Sequence, residues 1–173
     1  MDEVWRERLL ERLSQADMLG AEAVRYIRDN KVQMRFRKRS KSIGARWFFF
    51  RSISLNSRYY SIESNLDDSK LLSLLVHEVH HLKQGLRVAL SVYGELDAWQ
   101  VEYRFYKRIH PGKLHAAIEE LLTLPLNYER DNLRRAVKLM QSYAGKGYHA
   151  DWLPLRPLGY WFMSKYRDQE NVK

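Results

Sequence analysis

The hydrophobic period of this chain changes twice, and that change limits the folds open to it more than any other feature. Trp5, Leu9, Leu10 and Leu13 keep a 3.6-residue rhythm, and residues 21–29 carry Val24, Tyr26 and Ile27 in a second short amphipathic helix. Over 32–38 the spacing falls to two, with Val32, Met34 and Phe36 on one side and Arg35 and Arg37 on the other, which predicts a strand. Turn-forming Ser40, Ser42 and Gly44 lead into the aromatic-rich stretch 47–54, and after Asn56-Ser57 come residues 58–63, with Tyr59, Tyr60 and Ile62. Together these predict a small antiparallel β-meander. From Asn65 the helical period returns over 66–84, 95–109, 114–122 and 130–143, interrupted by Pro111-Gly112 and Pro125. Residues 145–157, with two prolines and two glycines, read as a loop before an aromatic segment at 160–166. Helices, then strands, then helices predict an α+β fold in one domain, 1–173: N-terminal helices in 1–30, the meander in 31–64, central helices in 65–110, and C-terminal helices and loop in 111–173.

A chain of 173 residues that is 45% apolar can bury a core of its own. It has no cysteine, which excludes disulfides, thiolate zinc sites, iron–sulfur clusters and thiol nucleophiles. Any metal must be held by histidine and carboxylate. The charged start, MDEVWRERLLERL, has no apolar stretch of signal-peptide type, and the longest apolar runs, 74–76 and 47–50, are far too short to span a bilayer. The expectation is a soluble cytoplasmic protein with no membrane partner.

Within 66–84 lies His77-Glu78-Val79-His80-His81, an H-E-x-x-H pattern. Residues four apart stack on one helix face, so His77 and His81 can aim at one ion, with Glu78 to the side where an ion-bound water would sit. Zinc suits imidazole, and a site with three protein ligands keeps a position open for water that Glu78 can deprotonate. The helix is well bounded: Asn65 as cap, Asp67 and Asp68 in the first turn, Lys83 in the last and Gly85 after it. Leu71, Leu72, Leu75, Val76, Val79 and Leu82 form its apolar side, while Lys70, Ser73, His77, His81 and Gln84 form the other. His80 is expected to pack or to support a ligand.

These residues resemble the zincin metallopeptidases. The metzincin extension of the motif is absent, because Gln84 and Arg87 occupy its glycine and last histidine positions. Glu95-Leu96-Asp97-Ala98 is similar to the E-x-x-A of the gluzincin branch, in which a glutamate from a following helix completes the metal site. The resemblance covers about residues 59–105. It implies a zinc-dependent peptidase with His77, His81 and Glu95 as ligands and Glu78 as general base. Glu102 is an alternative third ligand, disfavoured by bulky Phe105 three residues on, where close helix packing needs a small side chain. Trp99 stands where fuller family patterns have aspartate, which leaves Asp97 as the candidate for orienting a ligand histidine. The resemblance also implies that the strand before the active helix pairs with an extended peptide substrate, making Tyr59 and Tyr60 candidate substrate contacts.

Peptide hydrolysis also needs a donor for the developing oxyanion. Tyr148 and His149, in the glycine-rich loop, are candidates, ahead of Tyr93, His110 and His115, each of which also fits an ordinary packing or surface role. The aromatics at 47–50 and 160–162 are expected in the core. The net charge of +9 is local: residues 31–51 carry eight basic residues and no acidic one. Arg35, Arg37, Lys38, Arg39 and Lys41 form either a solvated strand face or a docking surface for nucleic acid or an acidic partner. The alternative to a peptidase is therefore a nucleic-acid-associated module whose metal site is structural or vestigial. Hydrolysis of a non-peptide amide is a third possibility.

Overall fold

Local capping starts each of the first helices. In the computed structural model, which describes residues 1–48, 51–145 and 147–160, Asp2 accepts a hydrogen bond from the Trp5 N–H at the start of α1 (Glu3–Ala16), and Asp17 from the Leu19 N–H at the start of α2 (Met18–Asp29). Three short strands follow: β1 (Gln33–Arg37), β2 (Ala45–Phe48) and β3 (Ser52–Asn56). The rest is helical: α3 (Ser69–Gln84), α4 (Leu86–Ala89), α5 (Val92–Ile109), α6 (Ala116–Thr123) and α7 (Arg130–Ala144), then a 3-10 turn at Ala150–Trp152. The α+β expectation holds. Among the described residues, no helix is long and apolar enough to cross a membrane.

The sheet is not the expected meander. Its order is β1-β3-β2, with β1 and β3 parallel and β2 and β3 antiparallel. The stretch expected as one strand, 47–54, is divided between β2 and β3, which pair antiparallel with Phe48 opposite Ser52, and Arg51 just before β3 has φ 49°. Residues 58–63 form turns instead of a strand, because buried Asn56 ties the neighbouring loops together. Its side-chain oxygen accepts from the Arg39 and Arg58 N–H groups, and its amide donates to the carbonyls of Ser40 and Ile43. Periodicity reports which face a residue takes but not where the chain reverses.

The register sorts the sheet into two faces. Met34, Phe36, Ala45, Trp47, Ile53 and Leu55 face the helices, while Arg35, Arg37, Arg46, Phe48, Ser52, Ser54 and Asn56 face away. Trp47 and Phe48 are each half-buried and so divide between the faces; Phe49 and Phe50 lie outside the described residues. Of the 160–166 segment only Tyr160 is described, with its ring 4.8 Å from that of Tyr128.

Two apolar clusters share α5. The first joins Leu9, Leu10, Leu13, Ile27, Ile53 and Leu55 to the apolar side of α3 and to Phe105. The second joins Leu96, Trp99 and Tyr103 to α6 and α7. Beyond exposed Lys70, the other side of α3 is covered, with Ser73, His77 and His81 buried where α5 packs on it. The cap of α3 is Asp68, accepting from the Lys70 N–H, so the helix begins three residues later than expected; Asn65 instead accepts from the Asp67 N–H in the preceding turn. Gly85 ends it at φ 70°, as expected of a C-terminal glycine.

Close approach of the chain before α5 depends on Gly94, where a Cβ would come within 2.1 Å of the Val88 carbonyl oxygen. Backbone cannot yield as a side-chain tip can. Gly94→Ala is expected to destabilise the fold by about 1–3 kcal/mol, the cost of overpacking, read as a lower midpoint in denaturant. An unchanged midpoint would show that α4 and α5 separate freely.

Candidate metal centre

The 3.6-residue period stacks His77 and His81 on one side of α3, and α5 lays Glu95 and Glu102, seven residues apart, across them. His77 and His81 are buried, at 7% and 1% exposure. Their Nε2 atoms are 3.0 Å apart, and the Glu95 carboxylate lies 3.4 Å from His81 Nε2 and 4.0 Å from His77 Nε2. Ligand-capable atoms of the three residues all fall within 4.8 Å of one another.

The outward nitrogens face other groups, with His77 Nδ1 close to a carboxylate but out of line for a hydrogen bond and His81 Nδ1 hydrogen-bonded. Glu102 Oε2 lies 2.8 Å from His77 Nδ1, so Glu102 sits behind the histidine rather than on its Nε2 side. Gln84 donates through its amide nitrogen to Asp97 Oδ2 (2.8 Å) and to the Gly94 carbonyl (3.0 Å). That orientation turns the Gln84 oxygen to His81 Nδ1, 3.0 Å away, and calls for a proton on Nδ1. The His81 Nε2 lone pair then faces His77 Nε2 at 3.0 Å. Such an arrangement needs a cation or a proton between them. Two ligands on tetrahedral zinc at the usual bond lengths lie about 3.4 Å apart, close to the separations found. The donor set therefore fits zinc.

The electrostatics agree. Burial opposes charge on His77, but the contact with Glu102 and the charges of Glu102, Glu78 and Glu95 outweigh it and raise the imidazole to about 9. Burial likewise opposes charge on Glu95, but His81, His77 and the Tyr148 hydroxyl hold it down to about 2. Three carboxylates meet here with little solvent, and the pocket demands positive charge.

Glu78 is 4% exposed, and its Oε2 has no hydrogen-bond partner among the described residues. Burial raises its carboxyl, against the lowering effect of His77, His81 and a hydrogen bond from the Trp47 backbone. The Trp47 ring lies 5.7 Å from that of His81. Strand β2 thus borders the site.

The remaining candidates fall in different places. Tyr148 comes into the site, donating to Glu95 Oε2 at 2.5 Å and accepting from Trp99 Nε1 at 2.8 Å. Its hydroxyl proton is committed to Glu95, and burial together with the Glu95 charge keeps the phenol well above its ordinary value. His149 is exposed and stacks on Trp152 at 4.2 Å. Tyr93 packs on Tyr128, His110 on Tyr106, and His115 caps α6. Tyr59 is half-exposed in the turn and donates to the Lys41 carbonyl; Tyr60 packs against the first cluster, where burial, Asp68 and Glu102 push its phenol up to about 12. His80 meets Asp97 at 2.6 Å, so Asp97 reaches His81 through Gln84 rather than directly. Gln84 and Trp99 carry no motif. Their only signal is that each takes a position where family patterns differ.

Comparison with known family models, curated proteins and solved structures finds no match.

Proposed function

We propose that the protein is a cytoplasmic zinc-dependent metallopeptidase of gluzincin type, in which His77, His81 and Glu95 hold the metal and Glu78 is the general base. The observation that carries this reading is the convergence of two Nε2 atoms and one carboxylate beside a buried carboxylate oxygen without a hydrogen-bond partner among the described residues. Zinc bound there would polarise a carbonyl and bring the pKa of its water towards neutrality.

The chain's own groups divide the work. Glu102 and Gln84 orient the two imidazoles, and Tyr148 with Trp99 holds Glu95. Glu78 Oε2 receives the proton of the attacking water and returns it to the leaving amine, a task suited to a carboxyl raised by burial. A peptide is favoured over another amide as substrate because β2, last in the strand order among the described residues and packed beside α3, offers an extended chain a strand to lie along, with the Trp47 backbone already committed to Glu78. In this role β2 replaces residues 58–63.

Metal analysis of the purified protein tests the reading. The expected result is about one zinc per chain, with peptide hydrolysis lost to a chelator and restored by zinc. A metal-free chain that takes up no added zinc would sink it.

A further inference from the structure

The outer face of the sheet poses a separate electrostatic problem. Arg35, Arg39 and Arg46 bring their guanidinium carbons to 5.8, 4.9 and 5.9 Å from the centre of the Phe48 ring. Arg37 shares the face, and Lys38 and Lys41 lie exposed in the following loop. None of these six residues has an acidic partner among the described residues, whereas Arg6, Arg12, Arg28, Arg108 and Arg135 each pair with a carboxylate. The Nε atoms of Arg35 and Arg39 are buried without a hydrogen-bond partner among the described residues. Arg39 is also anchored from beneath, donating to Ser54 Oγ at 3.1 Å. Burial and then Arg46, Arg37 and Arg35 hold its guanidinium below its ordinary value.

Edge charges that only prevent aggregation would spread into solvent. These converge instead, at a cost in mutual repulsion that a polyanion would relieve.

We propose that this face, built from Arg35, Arg37, Arg39, Arg46 and Phe48 with Lys38 and Lys41 at its margin, binds single-stranded nucleic acid. Charge complementarity selects a polyanion, and planar guanidinium forks suit phosphate oxygens. An aromatic ring among guanidinium planes offers bases a stacking surface, which an acidic peptide would not use. Among the described residues no helix projects from this face, and the Phe48 ring can stack only on bases that are not already stacked within a duplex. Along β2, Arg46 and Phe48 point to this face while Trp47 points towards His81, so bound nucleic acid would lie behind the metal centre without obstructing it. The inference is independent of the zinc site, and its readout involves neither zinc nor hydrolysis.

The test is fluorescence anisotropy of a labelled oligodeoxythymidine of about 20 nucleotides, titrated with the full chain at several salt concentrations. Replacing Arg35, Arg39 and Arg46 by Gln is expected to weaken binding at least about 30-fold and to lower the salt slope by about 2, at roughly 0.7 for each phosphate no longer neutralised. The same charge removed at exposed Lys113, Arg130 and Lys138 should change affinity less than about threefold. Because Arg39 also braces the sheet, Arg37→Gln with Lys38→Gln and Lys41→Gln, all exposed positions, gives a second variant expected to lower the slope by a similar amount. Phe48→Leu should cost about tenfold through weaker stacking. Equal losses in the cluster and control variants, displacement of the oligomer by polyglutamate at equal charge, tighter binding of duplex, or no binding in low salt would each overturn the proposal.

Discussion

Glu78→Gln is expected to retain zinc and lose peptide hydrolysis by about 10²–10⁴-fold, the usual contribution of a positioned general base. The substitution is nearly isosteric, and its amide oxygen can still accept the Trp47 hydrogen bond. What disappears is the capacity of Oε2, buried and without a hydrogen-bond partner among the described residues, to take a proton. The fold should not suffer, since the change removes one of three carboxylates crowded around the same histidines. Measuring zinc content, thermal midpoint and single-turnover hydrolysis on one preparation separates the possibilities. Activity within about tenfold of the parent would remove Glu78 from the reaction.

Zinc affinity across a substitution series should fall in two steps. His77→Ala and His81→Ala each delete a nitrogen that faces the site and should reduce binding to that of an incomplete site. Gln84→Ala and Glu102→Gln leave all three proposed ligands in place and loosen only the rings behind them, for an expected loss of about 10–100-fold. Glu95→Gln should fall with the histidines. Competition against a chelator of known affinity ranks the variants. A larger loss for Glu102→Gln than for Glu95→Gln would reverse the roles given to those two residues, and equal effects throughout would point to binding elsewhere.

The two halves of the candidate centre were not equally legible. His77, Glu78 and His81 belong to one helix, and their mutual placement follows from its period, which neighbouring residues impose. The end of that helix at Gly85 was readable for the same reason, and Glu95 was readable through a short family pattern. Glu102, Gln84, Trp99 and Tyr148 were not legible in these roles. Their contacts depend on how α5 crosses α3 and where the loop after α7 returns, and the Trp99–Tyr148 hydrogen bond spans 49 residues of chain. Strand order failed for a related reason. Side-chain alternation is the same in parallel and antiparallel pairs, so it could not show that β3 inserts between β1 and β2.

By itself, then, the sequence determined an α+β chain, a capped helix presenting two histidines and a glutamate, and a basic segment confined to residues 31–51, because each rests on composition or on interactions within a few residues. The tertiary structure alone decided that the histidine side of α3 is buried under α5, that Glu95 faces the Nε2 atoms while Glu102 backs His77, and that Arg35, Arg39 and Arg46 gather around the Phe48 ring. Those outcomes turn on which distant segments pack together, and packing is chosen by the burial of both apolar clusters at once rather than by any local pattern.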